Sequence, residues 1–278
     1  MNAAAHVERI LAEVTQDVAA REAVVPFKEI KALSRSVDPA RDAVSALLSR
    51  GCGVIAEIKR AIPGRGPIAE VASIPDLARE FEKGGASLIA CHTDRLYHQG
   101  SLSDMAAAHD AVSVPIICRD LIVDPYQIHE ARFHGADVVP LQVAMLDQHR
   151  MESLFDRIES LGMLAMLEVR TPAEAEIAVA LGARLIGVNA RRLGGVEINR
   201  AAFAEIVPLL PAENIRVAMS GVSSPAELLS YAAAGADAVV IGERLMTSDT
   251  PGSLTRTLVA TGQHPSCPGR RPPESHIA

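Results

Sequence analysis

Apolar and polar positions along the chain fall into a repeating two-part pattern. Short apolar runs near 54–59, 87–93, 115–121, 137–143, 164–169, 184–190, 215–221 and 238–242 are each bounded by turn residues. After each run, apolar residues recur at helical spacing, beginning near Ile74, Ser101, Pro125, Leu146, Thr171, Asn199, Ser224 and Ser248. Several starts carry N-cap signals, among them Asp124-Pro125, Thr171-Pro172 with Glu174, and Ser224-Pro225 with Glu227. A phrase returns along the chain: GGASLIAC at Gly84, HGADVVPL at His134, LGARLIGV at Leu181 and AGADAVVI at Ala234. In each, a helix ends at a glycine that can take the left-handed C′ conformation, and an apolar strand follows at once. Eight consecutive strand–helix units predict an α/β fold, a (β/α)8 TIM barrel.

Residues 1–50 precede the first run, and their apolar spacing predicts helices near 4–22 and 40–49, an N-terminal helical extension placed under the barrel or beside its mouth. Residues 51–262 form the barrel. The Pro-rich polar stretch 263–278 reads as a disordered tail. A length of 278 residues fits this single-barrel organisation. Ala, Val, Leu and Ile dominate and aromatics are scarce, as parallel strands under small-residue helices require. The net charge of -7 argues against a nucleic-acid partner held by phosphate contacts. Four cysteines without C-x-x-C spacing, no signal-like N-terminus and no long apolar run suggest a reduced, cytoplasmic protein without a membrane partner.

Barrel chemistry sits at the carboxyl ends of the strands, so polar residues interrupting strand ends are the candidates. In VIAEIKR, alternation puts Glu57 and Lys59 on one face, which is costly for charges unless they are paired or used. His92, Arg119, Asp120, Glu168, Asn189, Arg191 and Ser220 end other strands. The turns at Gly221 and Gly242, after strands seven and eight, offer backbone N–H groups where barrels commonly hold phosphate. With Lys59 and Arg65 within reach of that rim, they suggest a phosphorylated small molecule. The nine histidines show no H-x-x-x-H or similar ligand spacing, so no metal is expected. His129 and His134, on the helix after strand three, read as solvent-facing.

Several segments resemble the indole-3-glycerol phosphate synthase family: VIAEIKRAIPGRGPI at strand one, RDLIVDPYQIHEARFHGAD at strand three, LIGVNARRL at strand six, and VAMSGVSSPAEL with AGADAVVIGERLM at the last two units. The resemblance runs from about Ser36 to Thr261. It implies closure of an indole ring with loss of CO2 and water from a carboxyphenylamino-deoxyribulose phosphate, without a cofactor, by a monomer or homodimer in tryptophan biosynthesis. By motif position it implies that Glu57 and Lys59 are the strand-one acid and lysine, and that Glu168 acts in proton transfer. Asn189 and Arg191 match the pair that positions the anthranilate end. Ser220, Gly221 and Gly242 match the region holding substrate and phosphate. Glu57 and Lys59 then form a pair in which each keeps the other ionised.

The departures from that pattern cluster on the rim. Arg119 stands where the family has a lysine acting as general acid, and a guanidinium is a poor proton donor. Met219 replaces a glutamate. Ile62-Pro63-Gly64 replaces Ser-Pro-Ser, and Glu243 brings a carboxylate to the phosphate end. His92 and His98 stand where the family is apolar or aromatic. Three readings follow: the family reaction, slowed, with Lys59 or a water supplying the proton; a paralogue acting as lyase or isomerase on another carboxylated or phosphorylated aromatic amine; and a homologue that binds ligand without turnover.

Overall fold

The computed structural model describes residues 3–49, 51–191 and 197–267. Eight parallel strands, Gly53–Ile58, Leu88–His92, Ile116–Arg119, Val138–Gln142, Leu164–Val169, Leu185–Asn189, Ile215–Met219 and Ala238–Ile241, close into a barrel in chain order. The first pairs with the eighth through Gly53↔Ala238 to Ala56↔Ile241, and with the second through Ile55↔Leu88 to Ile58↔Cys91. Helices α4 (Ile74–Lys83), α5 (Leu102–Ala111), α6 (Pro125–Phe133), α7 (Gln148–Ser160), α8 (Pro172–Ala180), α9 (Ala202–Ile206) and α10 (Pro225–Ala233) follow the first seven strands in turn. After the eighth strand come a short α11 (Glu243–Met246) and then α12 (Pro251–Gly262).

The alternation of side chains explains both layers of the core. Outward residues such as Val54, Ile89, Val139 and Ile186 pack under the helices. Inward residues are apolar where strands begin, with Ile55, Leu88, Ile117, Met166, Leu185 and Val217 filling the interior. They turn polar where strands end, as Ile55 gives way to Glu57, Ile117 to Arg119 and Met166 to Glu168. The expected caps form: Asp124 makes a capping box with Gln127, and Thr171 and Ser224 accept from the N–H groups of Glu174 and Glu227.

The structure differs from the pattern at four places. The third and seventh strands stop at Arg119 and Met219, short of the predicted ends. At the seventh, Ser220 and Gly221 turn left-handed, with φ of 67° and 80°. The helix expected from Asn199 is reduced to α9 and a 3-10 turn, Val207–Leu209, around Pro208. A seven-residue helix, α2 (Phe27–Leu33), lies between α1 (Ala3–Val24) and α3 (Ala43–Leu47); it is too short for its period to stand out. Finally, α2 packs on α6 and corrects the reading of His129. That ring is fully buried, edge-on to Phe27, with Nδ1 2.7 Å from Ser34 Oγ, whereas His134 is half-buried. Burial first, then nearby Arg157 and Lys31, lowers the His129 pKa to about 4.

The N-terminal helices serve both ends of the barrel. On α3, Ala43 and Leu47 pack with the strand starts and close the interior from below. On α1, Ile10, Val14 and Val18 pack near Tyr126 and Met145, and Glu13 accepts from the Tyr97 hydroxyl at the mouth. Of the predicted tail, residues 263–267 continue from α12 in turns, and 268–278 lie outside the described residues. Because Leu47 is 1% exposed at the floor, Leu47→Ala is expected to lower unfolding stability by about 2–5 kcal/mol in urea titrations. A loss below about 1 kcal/mol would show that α3 does not seal the barrel.

Candidate active site

The polar ends of the strands meet in one belt of contacts around the mouth. Lys59 Nζ lies 2.5 Å from Glu57 Oε2, and His92 Nε2 lies 3.0 Å from Glu57 Oε1. Arg119 bridges two carboxylates, with Nη1 2.9 Å from Glu168 Oε2 and Nε 3.4 Å from Glu57 Oε1. The amide of Asn189 donates to Glu168 at 2.8 Å, and its oxygen accepts from Ser220 Oγ at 2.8 Å and from the Arg191 N–H at 2.9 Å. Contacts thus run without a break from strand one through strands two, three, five and six to the end of strand seven.

This belt sits in a cavity of about 840 Å³, and the strand-end residues singled out from the sequence line it, whereas Arg65 reaches it only through its pair with Glu243. Glu57, Lys59, Arg119, Glu168, Asn189 and Ser220 form the belt, while His92 and His98 stand at the end of strand two. Arg191, Ile62, Met219, Gly221, Gly242 and Glu243 complete the rim. Ile62 belongs to a small hairpin, Ala61–Ile62 with Gly66–Pro67. That hairpin is tied to the next loop because the Arg60 and Ala61 N–H groups donate to the His98 carbonyl and Arg60 pairs with Asp104.

Burial makes the charges interdependent. Desolvation alone raises the pKa of Glu57, but Lys59, His92 and Arg119 outweigh it and hold the carboxyl well below its ordinary range. Desolvation likewise opposes ionisation of Glu168, yet Arg170 and Arg119 bring it down to about 2. Both acids are therefore carboxylates at neutral pH. Arg170 was not singled out from the sequence, although it stands two residues beyond Glu168 in LEVRTP, the offset that marks Lys59 after Glu57. Its Nη2 lies 2.5 Å from Glu168 and 3.1 Å from Gln142 Oε1.

Gly242 has a packing duty besides its place in the rim. A Cβ there would lie 2.2 Å from Glu57 Oε2, so the absent side chain is what admits that carboxylate. Gly187 similarly leaves room for the Met219 sulfur, at 2.6 Å from its would-be Cβ, and Met219 caps the apolar interior. Ser220 holds a left-handed conformation unusual for a residue with a side chain, and with Gly221 it turns the backbone at the mouth. Arg65 pairs with Glu243 across the mouth.

The histidines behave differently from the expectation of no cluster. His92, Asp94 and His98 come together at the end of strand two, with all three ligand-capable atoms within 4.8 Å of one another. The rings stack at 3.7 Å, and both Nδ1 atoms face Asp94 Oδ2, at 3.2 and 2.7 Å. The five residues between the two histidines form a tight turn that ligand-spacing rules do not describe.

An eight-stranded barrel with carboxylates, an ammonium and guanidinium groups gathered at the carboxyl ends of its strands has the architecture of a (β/α)8 enzyme for a small anionic molecule. Residues 7–258 match the family model for indole-3-glycerol phosphate synthase. The chain is 52% identical over 268 residues to an indole-3-glycerol phosphate synthase of Mycobacterium sp. (strain KMS), covering 96% of this chain and 98% of that one. It is also 52% identical to one of Rhodococcus opacus (strain B4), covering 94% and 97%. The fold alone is shared with the N-acetylmannosamine-6-phosphate 2-epimerase of Clostridium perfringens, at a TM-score of 0.58 and 16% identity over 80% of this chain and 98% of that one. The chain belongs to the indole-3-glycerol phosphate synthase family, a family of lyases.

The Glu168 pair network sets a pH dependence. Its carboxyl is depressed from the ordinary 4.5 to about 2, so the folded state binds the proton more weakly than the unfolded chain. The stability this contributes is complete above about pH 5 and is lost as pH falls toward 2. Glu168→Gln is expected to cost about 3–5 kcal/mol at pH 7, because Arg119 and Arg170 lose their anion, and to flatten the decline in stability between pH 5 and 3. Urea titrations across that range test it: a decline as steep as in the parent would refute the assignment.

Proposed function

We propose that the chain catalyses the family ring closure, converting a carboxyphenylamino-deoxyribulose 5-phosphate into indole-3-glycerol phosphate with release of CO2 and water. Family membership across nearly the whole chain supports the reaction. The observation that carries the assignment of roles is the continuous belt from Lys59 to Ser220 around one cavity. The phosphate is held at Gly221, Gly242 and Arg65. The anthranilate carboxylate lies toward Arg119 and Arg170, and Arg170 Nη1 is a buried donor without a hydrogen-bond partner among the described residues.

Ring closure joins an aromatic carbon to the substrate's ketone carbon, and the ketone oxygen must gain a proton as the bond forms. Lys59, an ammonium paired with Glu57 on the cavity wall, delivers that proton. Loss of CO2 from the carbon that bore the carboxylate leaves its bonding pair in the ring. The hydroxyl then departs as water with a second proton, which Lys59 supplies after regaining one from solvent through the open mouth, and Glu168, ionised and oriented by Asn189, takes the proton released from the substrate. Arg191 and Asn189 position the aromatic end, and Ser220 donates within the same network.

The rim substitutions make this turnover slow. Arg119 anchors anions but does not cycle a proton at neutral pH, and Met219 offers no charge at all. Loss of a proton donor commonly costs ~10²–10⁴ in rate, and that range is expected for kcat relative to an enzyme carrying lysine at this position. Arg119→Lys, alone and with Met219→Glu, is expected to raise kcat at least tenfold, read from the fluorescence of the indole product. Substrate bound but never converted, by the parent and by both variants, would refute the ring closure and favour a binding protein. Conversion to a different product would favour the paralogue reading.

A further inference from the structure

We propose that His92, Asp94 and His98 form a binding site for one divalent first-row transition ion, of the zinc, cobalt or ferrous class, at the edge of the cavity. Two imidazoles and one carboxylate are a donor set suited to these ions, and one that leaves coordination positions open. Ligand bonds of roughly 2.0–2.2 Å place neighbouring donor atoms about 3 Å apart around an ion. The two nitrogen–oxygen separations here, 3.2 Å to His92 and 2.7 Å to His98, already bracket that edge length. Both rings present the same nitrogen, Nδ1, to the same oxygen, and their stacking keeps those nitrogens side by side.

The surroundings match what such a site needs beyond its direct ligands. A ligating histidine characteristically donates its other ring N–H to a carboxylate, and His92 Nε2 lies 3.0 Å from Glu57 Oε1. A ligating carboxylate is itself held, and Asp94 Oδ1 accepts from the N–H groups of Tyr97 and His98, each at 2.8 Å. Oδ2 is thereby left to the two rings. The loop is fixed behind them, because a Cβ on Gly100 would fall 1.9 Å from the His92 carbonyl oxygen. His92 and Asp94 are largely buried, while all three residues line the cavity, so the remaining positions on the ion face whatever enters it.

Both rings stand at positions where the family resemblance places apolar or aromatic residues. One isolated histidine could be a packing substitution. Two of them converging on a carboxylate that the same loop holds in place form a set of donors. The expectation from spacing alone, that no metal is bound, is replaced by this assignment.

The test uses the full, untagged chain stripped with a chelator and titrated with Co2+ alone, followed by competition with Zn2+. One equivalent of Co2+ is expected, with d–d absorption displaced by Zn2+. Asp94→Ala and His98→Phe are each expected to weaken binding at least tenfold, and Glu57→Gln to weaken it less. His264→Ala, at an exposed histidine near the end of α12, should leave binding unchanged. Retained circular dichroism and melting transitions separate lost ligands from lost fold, and X-ray absorption of the loaded parent should report two imidazoles. Binding that is absent, non-stoichiometric, or unaltered in Asp94→Ala and His98→Phe would overturn the site. Because the readout needs no substrate, it stands or falls separately from the ring-closure proposal.

Discussion

The structure of the mouth depends on one arrangement, Arg119 held between the buried carboxylates of Glu57 and Glu168. Removing an ion from water costs several kcal/mol, and neither acid is exposed enough to recover that from solvent. The guanidinium offsets the cost for both at once, and its planar fork lets one side chain span two strands' partners. Lys59 and His92 complete the surroundings of Glu57, as Arg170 and Asn189 complete those of Glu168. The result is a ring of charges that stay ionised because each has a partner. Losing any member leaves the others uncompensated, so the same contacts that order the mouth also set its chemistry.

That ring is possible because the barrel separates stability from chemistry along each strand. Apolar inward residues occupy the lower layers, sealed by Leu47, and polar ones occupy only the uppermost layer. Two glycines near the site are explained by space: Gly242 admits Glu57, and Gly187 admits Met219. Arg119 therefore holds the electrostatic frame together between strands one and five, while its guanidinium offers no readily removable proton.

The end of strand two follows a different logic. Here Asp94 organises its own loop through two backbone N–H groups and gathers two imidazoles. Its link to Glu57 through His92 joins this cluster to the charge ring, so the chemistry of the two corners is coupled through one ring.

The eight strand–helix units, their caps and the polar strand ends were legible in the chain itself, because alternation, helical periodicity and capping are local properties of neighbouring residues. Strand direction and order follow from them almost without choice, and so does the gathering of Glu57, Arg119, Glu168 and Asn189 at one mouth. What tertiary structure alone decided concerns pairs far apart in sequence. Arg170 reached Gln142, α2 buried His129, and Arg65 crossed to Glu243. The histidine cluster is intermediate: its residues are near neighbours, but only a loop conformation fixed by Asp94 and Gly100 turns both rings toward one oxygen. Periodicity describes which face a side chain takes, and only packing in three dimensions settles which partner it finds there.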